Sequence, residues 1–256
     1  MSQRMLAIPV DPALITVRSA GDGAIIVLTI RGTWDLALLS ETFTVLRGCL
    51  AAQPAGLIID LTALRDDDAR SVLAWTSLRY VGADMHPPAL VALCVPPEVV
   101  LAHRLQQIGT KRFLPVYAKL HQARTALDNL IPLTNRLVTH LTAAPHAPRT
   151  ARQLVDEACR TWHLSHLLFS ARLIVSELVA NAVQHAGTDI GVTVSRRGQR
   201  LHLIVSDKDD RVPELPARPH GRPAIGGLHL VQTVAARWGT VPTSDGKMIW
   251  ATTRAI

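Results

Sequence analysis

The chain has 256 residues, of which 48% are hydrophobic and 18% charged, and its formal net charge is +7. This length fits two domains of ordinary size, and the composition allows a sizeable core and excludes a globally disordered protein. The three cysteines, Cys49, Cys94 and Cys159, are widely spaced and form no CxxC pair, which argues against a disulfide-rich or zinc-binding protein. The N-terminus has no apolar leader, and no apolar run approaches the length of a membrane span. We therefore expect a soluble cytoplasmic protein.

In the first half of the chain, strand-like runs rich in β-branched residues alternate with segments whose apolar residues recur at helical spacing. The predicted strands are 14–18, 24–31, 57–61, 89–95 and 113–117. The predicted helices are 36–52, 68–81, 96–108 and 119–130. This alternation predicts an α/β sandwich with helices on a mostly parallel sheet.

The composition shifts around 131–149, where three prolines favour a boundary between domains. The elements predicted after it are a strand at 137–141, a loop at 142–148, helices at 150–162 and 167–186, hairpin strands at 191–196 and 201–207, an irregular loop at 208–225, a helix at 228–238 and a last strand at 248–253. The irregular loop is too long to be a mere connection, which indicates a functional segment.

The predicted helix 167–186 carries Glu177, Asn181 and His185 at i, i+4 and i+8. At roughly 3.6 residues per turn, these three polar side chains share one face of an otherwise apolar helix. The spacing alone leaves two interpretations open: a general base and a metal-ordering amide on one rigid element, or a partly solvated helix face.

Two further features follow along the chain. Asp207 stands at the end of a strand, where a carboxylate can accept a hydrogen bond from an exocyclic amine such as that of adenine. Gly226 and Gly227 precede a helix, whose first N–H groups and dipole favour phosphates. Each alone has a simpler interpretation, a turn former or a helix cap. Their order after the polar helix favours a nucleotide pocket.

The segment 177–186 resembles the N-box of the GHKL ATPase superfamily of gyrase, heat-shock chaperone, histidine kinase and MutL. The segment 205–213 is similar to the relaxed first glycine box of its bacterial anti-sigma factor serine/threonine kinases, and 226–231 with 237–239 is similar to their second box. The resemblance covers 134–256. It implies a Bergerat fold, with helices on one face of a mixed sheet.

The same resemblance implies that MgATP binds under a lid at about 208–225. The residues that it assigns are Glu177 as general base, Asn181 as magnesium ligand, Asp207 as the adenine-reading carboxylate, and Gly227 as a phosphate-contacting glycine, with Gly226 and His185 in the same nucleotide-binding set. This sequence departs from the pattern in two ways. No glycine follows Asp207 within the first box, where Asp209 and Asp210 would oppose phosphates if they faced them, and Ile225 replaces a glycine of the second box.

Residues 10–130 resemble the STAS domain of anti-anti-sigma factors, through a buried strand followed by Asp60 and Asp68. The resemblance implies a serine or threonine directly after the second aspartate, as a phosphorylation switch at a helix start. Here Ala69 holds that position and Ser71 is the nearest hydroxyl, so the switch is predicted to be absent. We also interpret residues 66–68 as a solvated turn in which Asp68 is the N-cap of the helix that follows.

We therefore expect a STAS-like α/β sandwich in residues 1–132 and a Bergerat α/β sandwich in residues 133–256. The leading hypothesis is a regulatory ATP-binding protein of a partner-switching pathway, an anti-sigma-type serine/threonine kinase that acts on a STAS partner or sequesters a sigma factor. The alternative is a non-catalytic interaction protein in which both domains are degenerate.

A third hypothesis is DNA binding, because the net charge is positive. The basic residues are scattered, with little aromatic interleaving, so a solvated basic face is the better interpretation and neither a nucleic acid nor a membrane is expected as partner. The resemblance to kinases of this branch adds a homodimer as an expectation. The sequence leaves open the identity of the partner and whether ATP is turned over.

Overall fold

A computed structural model describes residues 11, 13–20, 24–83, 88–109, 113–131, 135–211 and 227–254. The described chain divides into two compact units, the first running to Ile131 and the second starting at Asn135. Each unit has its own five-stranded sheet. Both units combine helices with a sheet, which confirms the α/β class predicted for both halves of the chain.

The first unit has its strands in the sheet order β1-β2-β3-β4-β5. These are β1 (Ile15–Ala20), β2 (Ile25–Thr33), β3 (Gly56–Arg65), β4 (Leu90–Cys94) and β5 (Val116–Tyr117). The helices are α1 (Leu36–Ala51), α2 (Val72–Ala83), α3 (Val100–Gln107) and α4 (Leu120–Leu130). Among the described strands of this sheet, β1 runs antiparallel to β2 and the other pairs are parallel. Four residues separate β1 from β2 in the sequence, whereas a helix lies between the strands of each parallel pair.

The central strands of this first sheet are apolar on both faces, as a sheet covered on both sides requires. The first six residues of β2 and of β3 are all buried. On one face, Ala123 and Leu127 of α4 pack against Ile25, Val27 and Ile58. The mostly parallel sheet expected from the alternating pattern is confirmed.

The second unit has the sheet order β6-β7-β8-β10-β9. Its strands are β6 (Arg136–Leu141), β7 (Ile190–Arg197), β8 (Arg200–Asp207), β9 (Arg237–Thr243) and β10 (Gly246–Thr252). Its helices are α5 (Ala147–Thr161), α6 (Leu168–His185) and α7 (Gly227–Val234), with a short 3-10 helix at Ser165–Leu167. Every strand pair in the described part of this sheet is antiparallel, so the mixed sheet implied by the resemblance is wrong here.

The core of the second unit lies between α5, α6 and α7 and alternate residues of the sheet. Val192, Val194, Leu203, Val205 and Ile249 supply the sheet side, and all of them are buried. The 21-residue span 165–185 is long and apolar enough to cross a membrane by composition alone. Most of its apolar residues lie in or against this core, whereas Phe169 is exposed. Core packing therefore accounts for most of the apolar character of α6.

Two further predictions about this unit, both on element boundaries, were wrong. The helix predicted at 228–238 ends at Val234, because the Ala236 N–H donates to the Thr252 carbonyl of β10 at 2.8 Å, and β9 follows as an edge strand. Gly239 lies close against the Trp250 ring, where an added Cβ would approach Cζ2 to 3.0 Å. The loop predicted up to Pro148 ends earlier, since α5 begins at Ala147 with that proline in its first turn, where its missing N–H costs nothing.

Candidate nucleotide-binding site

Glu177 and Asn181 lie at the margin of the buried face of α6. Leu178, Val179 and Ala182 beside them are almost wholly buried in the core, whereas Glu177 and Asn181 are half-buried. The apolar neighbours fix the rotation of the helix about its axis. The two polar side chains therefore have a set position at the edge of the core.

Glu177 meets the start of α7. A Cβ atom added to Gly227 would overlap Oε2 of Glu177, so this carboxylate lies against the first residue of α7. The N-terminal end of a helix carries partial positive charge and unpaired N–H groups, which favour an anionic neighbour. The structure thus brings together Glu177 and Gly227, which are 50 residues apart in the sequence.

Asp207 ends β8 and is buried beside a lysine. Across the β8–β10 ladder it pairs in register with Lys247, whose Nζ lies 2.9 Å from Asp207 Oδ1. Both side chains are 1% exposed. A buried carboxylate is tolerated when a cation and further hydrogen bonds compensate it, and Asp207 Oδ1 also accepts the N–H of Asp209 at 3.0 Å.

The second carboxylate oxygen of Asp207 is different. Among the described residues, Oδ2 is buried and has no hydrogen-bond partner. An unsatisfied buried acceptor costs about 1–3 kcal/mol, and a donor from water or a ligand would remove that cost. An exocyclic amine, as on adenine, has the donor that this oxygen lacks.

Asp209 faces cations and not an open pocket. Its Oδ2 accepts from Lys247 Nζ at 2.9 Å, and its Oδ1 accepts from Arg211 Nε at 2.8 Å. The hydrogen bonds from Arg211 and then Lys247 hold the pKa of Asp209 well below its usual range. The contact with Asp209 in turn raises the pKa of the Arg211 guanidinium. The sequence predicted that Asp209 would repel phosphates if it faced them. Because its charge is paired with two cations, this arrangement gives no reason to expect such repulsion.

His185 enters the site through its backbone. The carbonyl of His185, the last residue of α6, accepts from Nη2 of Arg211 at 2.8 Å. A cation at the negative end of a helix is favourable. The side chain of His185 is exposed, and the assignment of His185 to nucleotide binding stays a prediction. Gly226 and residues 212–225 of the predicted lid lie outside the described residues.

Within the described ranges, no group of three or more histidine, cysteine, aspartate or glutamate residues could hold a metal ion by itself. A hard cation at Asn181 would need further oxygen ligands, such as phosphates and water. Asn181 itself supplies one amide oxygen, a ligand type that magnesium accepts.

The predicted switch region of the first unit holds no accessible hydroxyl. Ser71 is fully buried, its Oγ donates to Asp66, and the Trp75 indole N–H donates to it at 2.6 Å. Ala69 is also buried, with φ at +52°, where side chains are disfavoured. The N-cap assigned to Asp68 is wrong: the Asp66 carboxylate accepts the N–H groups of Arg70 and Ser71, each at 2.9 Å.

Asp60 lies in the same region of the first unit and is buried. Its Oδ1 accepts from the backbone N–H of Thr62 at 3.1 Å and from the hydroxyl of that residue at 2.7 Å. The Thr29 hydroxyl is 3.4 Å from Oδ2. These contacts describe a carboxylate held by its own strand and by β2.

Sequence reasoning missed Lys247, Arg211 and Asp66. The sequence does contain a signal for Lys247, because this lysine precedes Met248, Ile249 and Trp250 in an apolar strand. Lysine is almost never buried without an acid, so this position predicts an acidic partner. Arg211 and Asp66 give no comparable signal, because charged residues in polar loops are ordinarily solvated.

Comparisons with known proteins bear on the second unit. Residues 141–253 match the family model described as histidine kinase-like ATPase domain, which confirms the resemblance for that part of the chain. No protein of curated function matches significantly.

Two solved structures are similar to part of the chain. An anti-sigma factor antagonist from Mycobacterium paratuberculosis is 19% identical, with a TM-score of 0.35, over 46% of this chain and 98% of that one. The RsbU and RsbW domains of Rv1364c from Mycobacterium tuberculosis are 22% identical, with a TM-score of 0.35, over 46% of this chain and 32% of that one. Both TM-scores are below the level from which a shared fold is inferred.

Proposed function

We propose that the second unit, a histidine kinase-like ATPase domain, binds MgATP between α6, the end of β8 and the start of α7. The observation that carries this proposal is the buried, unpartnered Oδ2 of Asp207. It is an acceptor without a donor, at the position where the resemblance expects the adenine amine to bind. The approach of Glu177 to Gly227 supports the proposal further, because it brings together two more residues of the expected nucleotide-binding set.

Each residue then has a distinct task. Asp207 accepts the adenine amine, and Gly226 and Gly227 offer backbone N–H groups to phosphates at the start of α7. Asn181 supplies an amide oxygen to magnesium, which neutralises phosphate charge. Glu177 stands ready to accept the proton of an acceptor hydroxyl.

The proposed biological role is regulation by partner switching. The chain would transfer phosphate to a serine or threonine of a separate STAS-domain protein, or sequester a sigma factor. The support is the match of residues 141–253 together with the resemblance of residues 177–186 and 226–231 to anti-sigma-type kinases.

Titration calorimetry tests the binding step with Asn181→Ala and a matched control. Gln184 carries the same amide group on the same helix and is exposed, so Gln184→Ala removes an amide away from the site. We expect Asn181→Ala to weaken MgATP binding by about tenfold or more, the loss of one charge-assisted contact, and Gln184→Ala to leave it unchanged. Absence of MgATP binding to the wild-type chain would contradict the proposal.

Mass spectrometry of a STAS-domain acceptor incubated with the chain and MgATP tests the reaction step. We expect one phosphate on a serine or threonine of the acceptor and a loss of about 100-fold in rate for Glu177→Gln, since a general base contributes about that much or more. A chain that binds MgATP but transfers nothing to STAS acceptors is not a kinase of this kind.

A second function, a non-catalytic docking protein, is favoured by the first unit. With Ala69 at the expected phosphosite and Ser71 held between Asp66 and Trp75, this unit has no hydroxyl open to phosphorylation there. It would bind partners without being switched. Partner binding of equal affinity with and without MgATP would favour this function over the kinase.

A further inference from the structure

We propose that Lys247 is a positioning residue of the nucleotide pocket: it leaves Asp207 one open oxygen, selects for a 6-amino purine, and ties the first lid residues to the sheet. The inference rests on the proposed ATP binding and goes beyond it, because it assigns base selectivity and the anchoring of the lid to a residue outside the family motifs.

The ammonium group of Lys247 is saturated. It has three protons and three acceptors within hydrogen-bond distance: Asp207 Oδ1 at 2.9 Å, Asp209 Oδ2 at 2.9 Å and the Asp209 carbonyl at 3.0 Å. With 1% of its side chain exposed, it has no donor left for a ligand. Lys247 therefore acts on a nucleotide through Asp207 and Asp209, and not by touching it.

The first consequence concerns the base. Lys247 and the Asp209 N–H together occupy Oδ1 of Asp207, so Oδ2 remains as the one acceptor for a ligand. The ion pair with Lys247 fixes the orientation of the carboxylate, so Oδ2 has a set position as an acceptor. A 6-amino purine offers this oxygen an N–H, whereas a 6-oxo purine places a second acceptor against it.

The second consequence concerns the lid. Lys247 holds Asp209 by its side chain and by its backbone, and Asp209 holds Arg211, which reaches the carbonyl at the end of α6. We call this chain of contacts, Lys247–Asp209–Arg211–His185, the lid strap. It fixes the path of residues 207–211, which contain no glycine, by ion pairs between a strand and a helix end. The two acids Asp207 and Asp209 are balanced by the two cations of the cluster.

Calorimetry with MgATP and MgITP tests the selectivity. ITP differs from ATP at the purine 6-position, where it carries an oxo group. We expect the wild-type chain to prefer ATP by about tenfold or more, as one well-placed hydrogen bond allows, and Lys247→Met to reduce this preference to about threefold or less. Without the Lys247 ammonium, Oδ1 of Asp207 loses the contact that orients the carboxylate, so the 6-amino group loses its fixed acceptor.

Lys208→Met is the matched control, because Lys208 directly follows Asp207 in the sequence and its side chain is 67% exposed. It should keep the wild-type preference. If Lys247→Met weakens both nucleotides equally and leaves the ratio unchanged, Lys247 is a structural residue only and the selectivity inference is wrong.

Hydrogen exchange on the nucleotide-free chain tests the lid strap independently. Asp209→Asn keeps the Lys247–Asp207 pair but weakens both ion pairs of Asp209. We expect faster exchange of the amides at 208–211 in this variant, by about tenfold, with the ATP-to-ITP ratio unchanged. Unchanged exchange would contradict the lid strap. This test uses Asp209→Asn, so it remains decisive even if Lys247→Met does not fold. If the wild-type chain binds neither nucleotide, the proposed function fails, and the exchange measurement still decides the strap.

Discussion

Two glycines at the site are required for different physical reasons. At Gly246, φ is +142° and an added Cβ would overlap the backbone of Asp207 and Lys208. At Gly227, the overlap is with Oε2 of Glu177, the far end of a flexible side chain, and φ is not in the left-handed region. A backbone clash has to be relieved by moving a strand, whereas a carboxylate can turn away.

Gly246→Ala should lower the free energy of unfolding by about 2 kcal/mol or more, because both the conformation and the space exclude a side chain. Gly198→Ala is the control: φ is +60° there but the space is open, so about 1 kcal/mol is expected. Urea unfolding of both variants checks the difference. Equal losses would show that space at Gly246 is not limiting.

Gly227→Ala should act on chemistry and not on stability. The free energy of unfolding should change by less than about 0.5 kcal/mol, while phosphate transfer falls because the Glu177 carboxylate is displaced. The rate of the double variant with Glu177→Gln should equal that of Glu177→Gln alone, since both changes remove the same base. Additive losses would place Gly227 in a separate role.

At the scale of elements, the start of α2 depends on one carboxylate. Asp66 accepts two backbone N–H groups and the hydroxyl of Ser71, which also receives the Trp75 indole. Trp75 in turn packs on Trp34, with ring centroids 5.1 Å apart. The loop before α2 is therefore joined to the core of the first unit through a chain of contacts.

Asp66→Ala should lower the stability of the first unit by about 2 kcal/mol, the combined loss of two backbone hydrogen bonds in the turn before α2 and of a buried hydroxyl partner. Asp67→Ala removes the adjacent exposed aspartate and should change stability by less than about 0.5 kcal/mol. Urea unfolding followed by tryptophan fluorescence compares the two variants. A similar effect of both would show that the contacts of Asp66 do not stabilise this turn.

The sequence predicted most elements because long apolar runs and turn residues are local signals. The strands of the first sheet and the polar positions on α6 belong to this class. β9 was missed because Ala235, Ala236 and Trp238 continue the apolar spacing of α7, and only pairing with β10 ends that helix. Asp207 could be named from its place at a strand end, but Lys247 lies 40 residues away and meets it through strand register, which no local pattern reveals.

At the scale of the whole molecule, the three cysteines behave alike although they belong to both units. All are free and buried. Burial raises the pKa of Cys49 to about 12, burial and the charge of Asp60 raise that of Cys94 to about 12, and burial with Asp156 raises that of Cys159 to about 11. Each of the three therefore packs as a small buried hydrophobic side chain.

The folded chain should therefore resist thiol reagents at pH 8, because all three groups are protonated and inaccessible. Unfolding should release three reactive thiols, counted with a chromogenic disulfide reagent. A pKa raised in the folded state stabilises the fold below the unfolded value of 9.0, and this contribution is lost as the pH rises towards 12. Fast reaction of the native chain at pH 8 would contradict the burial.

The anchoring of Arg211 and Gly227 has a consequence for how this pocket can be altered. One end of the intervening stretch is attached to the last turn of α6, and the other begins α7 beside Glu177. In the proposed pocket, the base would meet Asp207 on β8, which is oriented by Lys247 on β10, and both residues lie outside that stretch. If the pocket is as proposed, replacing residues 212–226 with a segment of different sequence would therefore leave the preference for ATP over ITP unchanged.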